Sequence, residues 1–300
     1  MPSEPVRHEL DVSVFALQVV ARELGADEAD PLVAYVLTGG LAIIFLAPLV
    51  WAAIASVSPS AGTHQLNGYG FGNYETLYAY GAGLPTHFLN SVMVSGLTVF
   101  FVLAVSLFGG YSFAKFDFPL KNVFFLVTLA ILMVPYATVL IPIYVVLNSV
   151  HTVPVIGWDL LGLALTLGMF QLPFATFMMR ISFESVPREI EEAALVDGSG
   201  TFGVFRHILL PAVVPGIVTV GLFAFLAAWN DFLAPLILIN PTAEQPLPLA
   251  LVIMRQQTMG LVDFGSTEAG VVVMAIPCIV LFLLLQRYYV SGFMSGAIKG

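Results

Sequence analysis

The sequence predicts an all-α polytopic membrane protein with six transmembrane helices and both termini on the cytoplasmic side. Three observations predict it: the scarcity of charge, the length of the apolar runs, and the uneven placement of lysine and arginine. Of the 300 residues, 59% are hydrophobic and 10% are charged, and the mean hydropathy is +0.95. A soluble domain carries roughly 25% charged residues, so this chain has too few to cover a water-facing surface. Its apolar residues fall in runs of about 20, the length that crosses a hydrocarbon core about 30 Å thick. One large soluble core would not call for several such runs.

The runs lie near 32–57, 86–112, 122–148, 160–180, 209–237 and 267–286. An even number of crossings puts both termini on one side. Arg7 and Arg22 precede the first run, and Lys115 and Lys121 separate the second from the third. Arg180, Arg188 and Arg206 surround the segment between the fourth and fifth, and Arg287 and Lys299 follow the sixth. These nine share one side, and of the ten basic residues only Arg255 falls on the other. The positive-inside rule assigns the nine, the termini and the 181–208 segment to the cytoplasm.

Residues 1–30 form an acidic extension ahead of a transmembrane domain over 31–300. It holds Glu4, Glu9, Asp11, Glu23, Asp27, Glu28 and Asp30 against Arg7 and Arg22, without the basic-then-apolar order of a signal peptide. Leu10, Val14, Leu17, Val20 and Leu24 recur at helical spacing with Gly25 as a stop, which reads as a short amphipathic helix or a poorly ordered tail. The formal net charge of −9 argues against a nucleic-acid partner. The single cysteine, Cys278, excludes a disulfide within the chain and reads as a small hydrophobe.

The loops 58–85, 149–159 and 240–265 are rich in turn formers and hold no metal-ligand or nucleophile-base set. His64, His87 and His151 are scattered and read as solvated or interfacial. An intramembrane protease would need paired aspartates, Ser-His or His-Glu-x-x-His inside the spans, and none is present. An ion-coupled transporter or channel predicts charges in several spans, and there are few here. No GxxxxGK[ST] loop occurs, so active transport by this chain needs a second chain or an ion gradient to drive it.

Residues 185–211 read SVPREIEEAALVDGSGTFGVFRHILLP. Ser185 can cap a helix with Pro187 in its first turn. Glu189, Glu191 and Glu192 suit the positive N-terminal end of its dipole. Ile190, Ala193, Ala194 and Val196 supply apolar contacts, and Asp197-Gly198 ends the helix. Thr201 can cap a second helix carrying Phe202, Phe205, Ile208 and Leu209. The result is a helix-turn-helix over about 185–209, tied to a span at each end. A rigid helix pair of this kind suits a groove on a partner, although a loop packed on its own bundle would look similar.

Glu192-Ala193-Ala194, Asp197-Gly198, Phe205, Ile208, Leu210-Pro211 and Pro215 resemble the EAA motif of ABC-importer permeases. Ser199 stands where alanine is commoner in that motif. The C-terminal QRYYVSGFMSGAIKG, with Gly296, Ala297, Lys299 and Gly300, is similar to the tail of carbohydrate-importer permeases of the maltose type. Phe88-Leu89-Asn90-Ser91-Val92 and Trp229-Asn230-Asp231-Phe232 look like segments of the same group. The resemblance covers most of residues 32–300 and implies the ABC type I importer permease fold in a bacterial or archaeal cytoplasmic membrane. It implies that Glu192, Ala193, Ala194, Asp197, Gly198 and Phe205 couple the chain to an ATPase, and that Gly296 and Lys299 in the tail (287–300) touch the same partner. It further implies a second, dissimilar permease, two ATP-binding subunits holding ATP and magnesium, and an extracytoplasmic sugar-binding protein. On this reading the chain is no enzyme and carries no cofactor. A different polar solute such as glycerol phosphate fits the same signatures. Asp231 is an acid at the edge of a span, a costly and often functional placement. Asn230 and Asp231 are therefore candidates for the substrate path, against a reading as a polar girdle or helix contact. Met178 and Met179 read as packing.

Overall fold

A computed structural model describes residues 31–59, 68–150, 158–240, 242–257 and 264–297. The N-terminal extension and its expected amphipathic helix lie outside the described residues. All regular structure among the described residues is helical. The chain begins with α1 (Pro31–Val57), a short α2 (Gly72–Ala79) and the long α3 (Leu84–Lys115). Then come α4 (Lys121–Ala130), extended by a tight turn Ile131–Met133, α5 (Tyr136–Val150) and α6 (Trp158–Glu184). A small hairpin follows, with α7 (Arg188–Val196) and α8 (Thr201–Val204), the latter prolonged by a widened turn Phe205–Leu209 and a last turn Leu210–Ala212. The remaining helices are α9 (Val214–Asn230), α10 (Leu233–Leu238), α11 (Leu247–Gln257) and α12 (Phe264–Ala297).

Among the described residues four helices are long and apolar enough to cross a membrane without a break: Tyr35–Val57, Leu84–Lys115, Asp159–Glu184 and Phe264–Gln286. The third and fifth runs are not the continuous spans expected. Lys121–Met133 meets Tyr136–Ser149 at 101°, and Thr201–Ala212 meets Val214–Asn230 at 71°. The first break falls at Val134-Pro135. Val134 is extended at ψ 124°, the conformation that a following proline imposes by steric conflict. The second falls at Val213, flanked by Pro211 and Pro215, which cannot donate helix hydrogen bonds. Pro48, Pro142, Pro173 and Pro277 sit inside unbroken helices. Membrane helices tolerate proline where neighbouring groups satisfy the freed carbonyls.

The core forms around α6. In its apolar window 56% is buried, against 11% for α1 and for α12. α3 packs along α6 in the most extensive helix pairing among the described residues, and α9 lies against both. Val102, Ala175, Met179, Phe183, Leu209 and Val220 meet at this junction, so Met179 is packing, as its sequence context suggested. α1 and α12 form an outer pair, and Ile43, Phe45, Trp51, Phe282 and Leu284 project from it. Apolar side chains facing outward are what hydrocarbon selects.

Two of the loops rich in turn formers, 58–85 and 240–265, carry helices, α2 and α11. Pro246 and Pro248 stand at the start of α11, where proline is compatible with helix. α2 is anchored by Asn73, whose Nδ2 donates to the Ser56 and Ser58 carbonyls at 2.9 and 3.1 Å. His87, read as solvated or interfacial, is 2% exposed, so it is not a solvated side chain. Its Nε2 accepts from the Ala82 N–H at 3.3 Å, which leaves Nδ1 to donate to the Gln245 carbonyl at 2.8 Å. Asn90 Nδ2 donates to the Ala243 carbonyl at 2.8 Å, and Ser91 Oγ accepts from the Leu247 N–H at 2.8 Å. The first turns of α3 therefore hold residues 243–247 in place.

The α3–α6 crossing is tightest at Gly110. A Cβ there would lie 2.5 Å from Met179 Cβ and 2.9 Å from the Arg180 backbone nitrogen. Gly96, on the same helix, has nothing within 4 Å. Gly110→Leu is expected to destabilise the protein by about 1–3 kcal/mol or more through overpacking, while Gly96→Leu leaves stability unchanged. Thermal unfolding of the two variants in detergent checks the contrast.

Candidate functional site

The hairpin between α6 and α9 is built by local chemistry. α7 begins after Pro187 without a side-chain cap. The expected Ser185 cap is not made, because Ser185 Oγ instead donates to the Ser182 carbonyl at 2.8 Å. Thr201 likewise does not cap α8; it is the first residue of that helix, after Gly200. The C-terminal end of α7 is closed as the sequence indicated. Gly198 takes φ +89°, the Ser199 N–H donates to the Ala194 carbonyl at 3.0 Å, and the Gly198 N–H donates to the Leu195 carbonyl at 3.1 Å. This 6→1 and 5→2 pair is a Schellman motif, which needs a left-handed residue at Gly198. It reverses the chain in a few residues and fixes α8 relative to α7.

The hairpin has two faces. Outward lie Glu192, Ala193, Asp197 and Gly198, all exposed, with Ala194 half-buried. Ile190, Leu195, Val196 and Phe202 also project, Val196 being 87% exposed. Ile190 and Val196, expected to supply apolar contacts, face outward. An apolar strip thus lies exposed between Glu192 and Asp197. Inward, Phe205 departs from the other motif residues. It is 7% exposed, with its ring 4.9 Å from Tyr111, 5.7 Å from Phe108 and 6.1 Å from Phe183, centroid to centroid. Phe205 thus grips the bundle and offers nothing to a partner.

Lys115 was read from sequence only for topology, and it proves to be a structural partner of the hairpin. The last residue of α3, it pairs through Nζ with the Glu191 carboxylate and donates to the Val186 carbonyl at 2.8 Å. Glu191 was expected to serve the helix dipole. It sits in the first turn of α7, so it does both. No spacing rule links residues 115 and 191; only the fold brings them together.

The expected path residues part company. Asp231 leaves the helix after α9 and is held twice: Tyr136 Oη donates to Oδ2 at 2.8 Å, and the Ala234 N–H donates to Oδ1 at 2.8 Å. It lines a recess of about 270 Å³ with Tyr136, Leu167, Phe170, Gln171 and Ala227, at the break between α4 and α5. Asn230 does not line it; its Nδ2 folds back to the Leu226 carbonyl at 2.8 Å. Trp229 makes the helix contact, its Nε1 donating to the Met274 carbonyl of α12 at 3.0 Å. Gln171 and Tyr136, which no motif indicated, supply polar groups to the recess. Gly296 lies in the final turn of α12, while Lys299 lies outside the described residues. No group of His, Cys, Asp and Glu fit for a metal occurs among the described residues.

Residues 106–293, from mid-α3 through the hairpin and recess into α12, match the binding-protein-dependent transport system inner membrane component family. The chain belongs to this family. It is the permease subunit of an ABC importer, a multi-pass inner-membrane protein without catalytic activity of its own. The diacetylchitobiose uptake system permease protein DasC of Streptomyces coelicolor is 35% identical over 217 residues, 72% of this chain and 76% of that one. The probable ABC transporter permease protein YurM of Bacillus subtilis is 34% identical over 222 residues, 74% and 72% of the two chains. The arabinooligosaccharides transport system permease protein AraQ of Halalkalibacterium halodurans is 29% identical and spans 91% of this chain and 99% of its own. In fold, the chain matches a bacterial ABC transporter involved in the import of the acidic polysaccharide alginate, with TM-score 0.67 at 21% identity, over 90% of this chain and 98% of that one.

Substitutions should separate the two faces of the hairpin. Phe205→Ala is expected to cost about 3–5 kcal/mol by emptying an aromatic core site. Gly198→Ala is expected to cost about 1–2 kcal/mol for a left-handed side-chain residue. Val196→Ser should leave the unfolding temperature in detergent unchanged.

Proposed function

We propose that this permease crosses the membrane six times with both termini in the cytoplasm, and that it couples solute passage to ATP hydrolysis through the outward face of α7. On this reading the bent pair Lys121–Met133 and Tyr136–Ser149 counts as one crossing and α9 supplies the fifth, while α7 and α8 lie on the cytoplasmic side with the nine basic residues. The observation that carries the coupling role is the exposed strip of Glu192, Ala193, Leu195, Val196 and Asp197 on a hairpin closed by Gly198 and rooted in the bundle by Phe205. Small side chains at Ala193 and Ala194 allow close approach, Glu192 offers a charged contact, and the apolar strip adds buried area. A second, dissimilar permease would complete the path, two ATP-binding subunits would hold ATP and magnesium, and an extracytoplasmic binding protein would deliver the solute. Gly296 and Lys299 belong, on the same proposal, to a tail that reaches the ATPase pair.

The solute class proposed is a sugar. Support comes from the relatives, which include permeases of diacetylchitobiose, arabinooligosaccharide and trehalose transport systems. Asp231 is proposed to line the path with Gln171 and Tyr136. Gln171 borders the recess. A carboxylate, a phenol and an amide beside the Phe170 ring offer acceptors, donors and an apolar face, the mixed lining of a small-molecule site.

Two experiments test this. In the reconstituted complex, Glu192→Ala and Val196→Asp are expected to lower uptake per ATP hydrolysed by at least about fivefold, the lower end of usual coupling between sites. Unchanged coupling in an assembled complex would remove α7 from that role. For the solute, trehalose, arabinooligosaccharide and diacetylchitobiose are each offered with the cognate binding protein while ATPase activity is recorded. Stimulation by one of them, with a raised KM for uptake in Gln171→Leu, is the expected result. Stimulation by glycerol phosphate alone would overturn the sugar assignment.

A further inference from the structure

The coupling hairpin is continuous in sequence with α6 and α9, so the chain itself carries a push into those two helices. α3 has no such connection. Its contact with the hairpin is made through space, at two points. One is apolar: Tyr111 and Phe108 on α3 against Phe205. The other is ionic: Lys115, whose side chain is 6% exposed, against Glu191, 15% exposed, with the Lys115 ammonium also held by the Val186 carbonyl in the α6–α7 turn.

We propose that the Lys115–Glu191 pair is a clamp that makes α3 move with α7, so that ATP-driven displacement of the hairpin reaches α3 as well as α6 and α9. The idea rests on the coupling role proposed for α7. Three features support it. The ring contact with α3 is made by Phe205, beyond α8, so it roots that end of the hairpin and does not by itself stop α7 from sliding along α3. A charged pair shielded from water resists such sliding, because separating it leaves one charge buried without a partner. Finally, Val186 and Glu191 flank the α6–α7 corner, so one ammonium joins the end of α3, the turn and the first turn of α7 at a single point. Lys121 and Arg180, the neighbouring cations, are engaged elsewhere: Lys121 with Asp117 at 3.4 Å, and Arg180 with Glu184 at 2.7 Å and over the Phe125 ring at 4.1 Å. They do not substitute for Lys115. At its far end α3 carries His87, Asn90 and Ser91, which hold residues 243–247. A displaced α3 would therefore move that outer segment too, linking both ends of the bundle. Lys115 is a positioning residue, with no contact to solute or nucleotide.

The test uses the full complex, assembled with its ATPase, with Cys278→Ser and Leu89→Cys. Leu89 is 64% exposed in the first turns of α3. The rate of maleimide labelling at Leu89→Cys is measured before and after trapping with ATP and vanadate. This reads α3 without any solute, and the change upon trapping is insensitive to how much protein folds. Trapping is expected to alter the rate in the parent. Lys115→Arg should keep the response. Lys115→Met/Glu191→Met, which leaves no buried charge unpaired, should reduce it by at least about fivefold, as expected for loss of a coupling of 1 kcal/mol or more. An undiminished response in that double variant, or no response in the parent, overturns the clamp. If the double variant does not assemble, Lys115→Glu/Glu191→Lys decides: a response near the parent's supports the clamp, and an assembled but unresponsive complex overturns it. Glu192→Ala is measured alongside. An undiminished response there sinks the coupling role of α7, whereas an undiminished response in the double variant alone sinks only the clamp.

Discussion

At Gly110, α3 and α6 approach so closely that a single methyl group would strike Met179 and the Arg180 backbone. Both helices are long and closely packed there, and α9 completes the junction through Val220 and Ala224. Helices in lipid gain little from hydrophobicity against one another, since the tails are equally apolar. Close contact of backbones and dispersion between well-fitted side chains must supply the difference. Everything else attaches to this junction. α6 continues into the hairpin, α9 receives it, and the recess opens where the bent α4–α5 pair meets α6 and α9.

The hairpin follows from a division of labour among its residues. Phe205 and Glu191 face the bundle and root it, one by ring contacts and one by charge. Glu192, one residue further along the same helix turn, faces outward with Ala193 and Val196. A 100° step per residue is enough to separate a structural carboxylate from an exposed one. Rigidity comes from the Schellman closure at Gly198, which satisfies the carbonyls that would otherwise end α7 unpaired. The segment thus combines a buried grip and an exposed face within about twenty-five residues.

The two breaks show how much local chemistry was visible in advance. Pro135, Pro211 and Pro215 were all present inside runs whose hydropathy alone suggested unbroken spans. Pro48, Pro142, Pro173 and Pro277 occupy equivalent contexts and do not interrupt their helices. Whether a proline breaks a helix depends on whether neighbours accept the released carbonyl and the bend, which hydropathy does not encode. His87 teaches the same lesson. Nothing near it in sequence suggested burial, because its partner carbonyl, Gln245, lies far along the chain.

By itself the sequence determined the class of the protein, its helical runs, and the position of the hairpin and its turn. These depend on composition, on periodicity and on short motifs whose partners lie within a few residues. Tertiary structure alone decided the bend in the third and fifth runs, the inward role of Phe205, the burial of His87, the recess joining Tyr136, Gln171 and Asp231, and the pairing of Lys115 with Glu191. Each of those depends on residues that approach through space from distant positions in the chain. Their energies come from packing, desolvation and paired charge, which have no signature in any single stretch of sequence.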